Sequence, residues 1–125
     1  MNATHLLHEL IAQRAGTTPS APALTFGGET LDYATLDLRC SQLASGLRQL
    51  GLARTERVAI YLDKRLETVI SSFGTTRAGG VFVPVNPILK AEQVGYVLQD
   101  CNVRVLITSP ERFASIKDTL SQCHD

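Results

Sequence analysis

Apolar positions along this chain switch between two rhythms, and the switching predicts the elements. From Leu36 they fall at Cys40, Leu43, Leu47 and Leu50, spacings of four and three that draw one stripe along an α-helix. Asp32 stands in front as an N-cap and Gly51 behind as a stop. Thr35 occupies the place where a glutamate would complete a capping box. Val58 to Leu62 breaks the rhythm with an unbroken apolar run, the pattern of a strand covered on both faces. Leu66, Val69, Ile70 and Phe73 return to helical spacing, and Gly79-Gly80 ends that helix. Val81-Phe82-Val83 is a second buried strand, closed by Pro84 and Pro87, which cannot donate to a ladder. Ala91 to Gln99 is helical again, Val103 to Ile107 is a third strand, and Pro110 to Ser121 carries Phe113, Ile116 and Leu120 at helical spacing.

Upstream the signals are shorter. Asn2 or Thr4 caps a first helix with Leu6, Leu7, Leu10 and Ile11 on one face. After a loop at Gly16–Pro22, the runs Ala23–Phe26 and Thr30-Leu31 flank Gly27-Gly28, a hairpin signal. Three strands alternating with helices imply an α/β fold: a three-layer parallel-sheet subdomain with a small N-terminal β-hairpin. Leu36, Leu43 and Leu47 are expected to face the sheet.

Composition narrows the classes. A chain of 125 residues fits one domain. Twelve basic residues balance twelve acidic ones, so charge gives no reason for a nucleic-acid or anionic-membrane partner. No apolar run reaches the roughly 18–20 residues of a membrane span. The first fifteen residues, with His5, His8 and Glu9, do not read as a secretory signal. Cys40, Cys101 and Cys123 are odd in number and lack a C-x-x-C, as expected of reduced thiols in the cytoplasm.

The segment Arg77-Ala78-Gly79-Gly80-Val81-Phe82-Val83-Pro84-Val85-Asn86-Pro87, continued by Ala91-Glu92, Tyr96, Leu98, Asp100 and Val105-Leu106-Ile107-Thr108, resembles the AMP-forming acyl-CoA synthetase and adenylate-forming enzyme superfamily. A second segment matches upstream: Leu24-Thr25-Phe26, Leu31-Asp32-Tyr33-Ala34-Thr35-Leu36, Leu43-Ala44 and Leu47. The likeness runs from about Leu6 to Ile107. At finer grain, YLDKRLETV, NPILKAEQV and DCNVRVLIT resemble the acyl-CoA ligases of bacterial exosortase and exopolysaccharide systems. The resemblance implies that residues 1–125 are an N-terminal fragment of a large adenylation domain. Its partners would be the remainder of that domain and a C-terminal domain. The parent would use ATP, Mg²⁺ and CoA to convert a carboxylic acid first to an acyl-adenylate and then to a thioester.

Such chemistry needs a Gly/Ser/Thr-rich phosphate loop with a lysine, a Mg²⁺ ligand and a cation at the transition state. The family's loop ends in Pro-Lys-Gly, and this chain has no such stretch; Phe73-Gly74-Thr75-Thr76 is an echo inside a helical pattern. No catalytic or metal-ligating residue is therefore expected here, and the fragment alone is expected to be inactive. Arg112, just beyond the third strand, is the one candidate contact: the resemblance places a basic residue of this region near the nucleotide end of CoA, and a guanidinium suits a phosphate. The competing reading of Arg112 is a solvated surface arginine. Asp63 ends a strand and is read as a helix cap, with a receiver-type phosphoacceptor as the rival. Cys40 reads as core, Tyr33 and Tyr96 as packing residues, and His5, His8 and His124 as surface or packing residues. A stand-alone interaction or small-ligand module is the alternative for the whole chain. A cut at residue 125 is expected to leave open edges and to make the chain self-associate.

Overall fold

The computed structural model describes residues 9–121. The first helix, α1 (Glu9–Thr17), leads into the hairpin strands β1 (Pro22–Phe26) and β2 (Glu29–Asp32). Then come α2 (Tyr33–Gln49), β3 (Arg57–Tyr61), α3 (Leu66–Arg77), β4 (Val81–Pro84), α4 (Ala91–Asp100), β5 (Val103–Thr108) and α5 (Pro110–Leu120). The expected cap at Asn2 or Thr4, with Leu6, Leu7 and the three histidines, lies outside the described residues.

Local chemistry accounts for the boundaries. Gly27 and Gly28 both take positive φ, 60° and 83°, as the tight turn between antiparallel strands requires. Thr25 and Thr30 join their hydroxyls across the hairpin at 2.8 Å. Asp32 Oδ1 accepts from Thr35 N at 2.8 Å and starts α2; the bonds from Thr35 hold its carboxyl below the ordinary value. Ser109 caps α5, its Oγ accepting from Arg112 N at 3.2 Å, with Pro110 in the first turn.

The three long-range strands form a parallel sheet in the order β4-β3-β5. Helices cover both faces. Ala59 and Tyr61 of β3 pack with Val94, Leu98 and Ile116 of α4 and α5. Val58, next to Ala59 in sequence, packs on the opposite face with Ala44 and Leu47 of α2. The α/β three-layer expectation therefore holds. A bulge in β5, between the pairs Arg57↔Val103 and Val58↔Val105, shifts its parity. Val103 and Leu106 join the α4/α5 side, while Val105 and Ile107 join the α2 side.

The stripe on α2 differs from expectation. Leu36 and Cys40 are buried against Ile11, Leu31 and Leu66, not against the sheet. Leu43 is half-buried and also meets α3: a Cβ on Gly74 would sit 2.8 Å from Leu43 Cδ2. Leu50, the C-cap of α2, is 71% exposed. Leu47 makes the layer contact that was expected of the stripe, joined by Ala44, and the half-buried Leu43 packs against the same cluster.

Candidate functional site at the carboxyl end of the sheet

In the order β4-β3-β5, the chain leaves β3 for one neighbour, β4, and returns past it to the other, β5. The crevice beyond the carboxyl ends of β3 and β5 is where strand order reverses, the usual ligand position in open α/β sheets. Asp63 follows β3 there, Asn86-Pro87 follow β4, and Thr108-Ser109 end β5.

Arg112, in the first turn of α5, ties these ends together. Its guanidinium donates to Asp63 Oδ1 and, at 2.6 Å, to Pro87 O. It also lies 5.5 Å from the centre of the Tyr61 ring. Asp63 raises the Arg112 pKa further, through its hydrogen bond first and its charge second. Arg112 is thus partly exposed but held by the strand ends, and its bonds to Asp63 and Pro87 leave part of its five-donor fork for other acceptors. Tyr61 supports the same loop: its hydroxyl donates to Leu89 O at 3.0 Å. Asn86 closes the turn from within, Oδ1 accepting from Ile88 N at 3.0 Å and O from Leu89 N at 3.1 Å. Thr108 Oγ1 donates to Tyr61 O at 2.7 Å across the β3–β5 seam.

Asp63 does not cap α3. The N-cap of that helix is Arg65, without a side-chain cap bond, and the Asp63 carboxylate turns instead to Arg112 and, at 3.8 Å, to Arg65. Its backbone carbonyl accepts from Thr68 Oγ1 at 2.7 Å. The reason is distance along the chain: two residues intervene between Asp63 and the first turn of α3, while Arg112 stands directly opposite.

A cleft of about 400 Å³ opens between the hairpin turn and the β3–α3 loop, lined by Phe26, Gly27, Glu29, Asp63, Lys64 and Arg65 among others. Its charges are mixed, so it lacks the positive potential that a phosphate needs. Phe73-Gly74-Thr75-Thr76 lies wholly within α3, with Thr75 fully buried, and forms no phosphate cradle. Gly74 is there for the close approach of α2. Cys40 is fully buried, and desolvation pushes its thiol up to about 11, which suits core packing and not nucleophilic chemistry. Tyr33 is half-buried beneath Arg14, whereas Tyr96 is 70% exposed and so does not pack as expected. No group of His, Cys, Asp and Glu able to hold a metal occurs among the described residues. Nor is any helix among them long and apolar enough to cross a membrane.

Sequence reasoning passed over Tyr61. Its signal was present: a tyrosine in an otherwise aliphatic buried strand must find a partner for its hydroxyl.

The strand order and the helices on both faces define a doubly wound α/β segment. The family model described as AMP-binding enzyme matches residues 11–125, and the chain belongs to that family. Tyrocidine synthase 2 of Brevibacillus parabrevis is 36% identical over 102 residues, covering 82% of this chain and 3% of that protein. The N-terminal domain of FACL13 from Mycobacterium tuberculosis superposes with a TM-score of 0.87 at 26% identity, over 98% of this chain and 31% of that one. The anthranilate CoA ligase AuaEII shares the fold with a TM-score of 0.90 at 23% identity, over 97% of this chain and 23% of that one. The chain therefore spans a small part of the relatives it matches.

Proposed function

We propose that residues 1–125 form the N-terminal segment of the large adenylation domain of an AMP-forming acid–CoA ligase, with a scaffolding role in that domain. The observation that carries the reading is the match of nearly the whole chain to under a third of the FACL13 N-terminal domain. The same fold there is one part of a larger unit. In the parent reaction a carboxylate attacks the α-phosphate of ATP-Mg²⁺, releasing pyrophosphate, and the CoA thiol then displaces AMP. The phosphate loop, Mg²⁺ ligand and catalytic lysine would come from the remainder of the adenylation domain and from the C-terminal domain. This segment contributes a rigid wall whose carboxyl end is fixed by Arg112 and Tyr61. Arg112 is proposed as a contact for the phosphates of CoA, supported by its place at the switch-point crevice and its remaining donors. Three segments alone support the exosortase-associated subgroup, and the odd number of cysteines without a C-x-x-C supports a cytoplasmic setting.

Pyrophosphate exchange tests this. With a panel of acids, the 125-residue chain should stay at background, and the same chain joined to the continuation of its reading frame should exchange. Exchange by the short chain, abolished by a point change within it, would sink the scaffold reading.

The short chain is also expected to self-associate. The hairpin has only two strands, β4 and β5 each keep one unpaired edge within the three-stranded sheet, and Leu50, Ile88 and Tyr96 are exposed by 71%, 80% and 70%. Light scattering at about 10–100 μM should show a dimer or larger species. A monomer that binds no hydrophobic dye would favour a self-contained module instead.

A further inference from the structure

We propose that the outer edge of β5 docks one more parallel strand, apolar on both faces and supplied by the chain that follows α5 in the larger domain. The inference rests on the reading of residues 1–125 as the start of that domain, and adds to it the edge where the rest attaches. Three observations carry it. The first is handedness. The connection from β3 to β4 runs through α3, on the face of the sheet where α3 meets α2. The connection from β4 back across β3 to β5 runs through α4, on the opposite face. Opposite directions over opposite faces are one hand, and parallel crossovers are right-handed in about 98% of cases. Ile116 and Leu120 place α5 on the α4 face. A crossover of the same hand through α5 travels in the same direction as the one through α4, and so ends beyond β5, on the side away from β3. The second observation is cover. Val58 to Tyr61 of β3, with a strand on each side, are buried. Val103, Val105, Leu106 and Ile107 of β5 reach both helix layers yet are only half-buried. That is the composition of a central strand with the exposure of an edge. The third is the contrast with β4. Val81 N and Val85 N donate to Glu56 O and Ile60 O, both at 2.9 Å, so the alternate positions Phe82 and Pro84 face outward. Pro84 has no N–H to offer a further strand, and β4 is only four residues long. β5 has six residues and no proline, and Arg104, its one charge, is held 3.3 Å from Glu56, just ahead of β3. The sheet is closed to growth at β4 and open to it at β5.

Amide hydrogen exchange on the chain joined to the continuation of its reading frame tests the edge. A strand paired on both sides protects consecutive amides, and an edge strand protects alternate ones. The amides of Val105, Leu106 and Ile107 should differ among themselves by less than about tenfold, as in β3, while the Phe82 amide exchanges at least about tenfold faster than that of Val83. Alternation along β5, or a Phe82 amide as slow as that of Val83, overturns the proposal. The pattern should hold on dilution from about 100 to 10 μM. Protection of β5 that fades on dilution would make a second copy of the chain the occupant and overturn the proposal too. Pyrophosphate exchange on the same sample separates this inference from the reading it rests on. Continuous protection of β5 in an inactive sample supports the edge and sinks the ligase reading. Activity with alternating protection along β5 keeps that reading and overturns the edge.

Discussion

Tyr61→Ala should destabilise the chain by about 3–5 kcal/mol, the usual cost of truncating a buried aromatic. Tyr61 is 2% exposed and sits among Val85, Val94, Leu98 and Ile116, so the cavity would open in the middle of the α4/α5 layer. Two polar losses add to the void. Leu89 O would lose its donor, and the Arg112 guanidinium would lose the ring beneath it. Tyr61→Phe separates these contributions. It keeps the ring and removes only the hydroxyl, for a loss of about 1 kcal/mol. Urea titrations of both variants give the comparison. A loss for Tyr61→Ala no larger than for Tyr61→Phe would mean that the ring is not a packing element of this layer.

Tyr61 also shows where a sequence stops being legible. The strand that carries it was plain, because five consecutive apolar residues between polar flanks have few other meanings. The hairpin was equally plain from two adjacent glycines, and α5 from Ser109-Pro110 and its spaced apolar residues. Each of these signals is local. What the sequence did not show is long-range. Arg112 meets Asp63 across 49 positions and Pro87 across 25, and no periodicity encodes such a meeting. The same blindness explains the stripe on α2. Helical spacing identifies a buried face but not what buries it, so α3 was missed as the cover over Leu43, and the exposure of Leu50 was missed with it. The bulge in β5 is a third case: Val103 and Val105 look equivalent in sequence, yet face opposite layers. Arg112 was legible only as a basic residue just beyond the end of a strand. Its contacts with Asp63 beyond β3 and Pro87 beyond β4 required the fold.

Gly80→Val should cost about 2–3 kcal/mol, for a reason different from that of its neighbour in the Gly79-Gly80 pair. Gly79 has φ of 90°, a conformation that side chains disfavour, but a Cβ there would meet nothing closer than 3.9 Å. Its replacement by alanine is a purely conformational loss of about 1–2 kcal/mol. Gly80 takes no left-handed conformation; what it lacks is room. A Cβ at Gly80 would lie 2.9 Å from Leu52 Cδ2, 3.1 Å from Glu56 O and 3.2 Å from Thr75 Cγ2. Leu52 can turn aside, but Glu56 O cannot withdraw, since it accepts from Val81 N at 2.9 Å where β4 begins. Valine adds two further carbons to that contact. Relief would have to come from shifting the start of β4 away from β3, which strains the pairing of Arg57 with Val81. Denaturant titrations of Gly79→Ala, Gly80→Ala and Gly80→Val should therefore show an increasing loss from alanine to valine at position 80. Exchange of the Val81 amide should rise in step, whereas Gly79→Ala should lower stability without loosening that amide selectively. A Gly80→Val variant as stable as the parent would show that the two elements do not approach as closely as this packing requires.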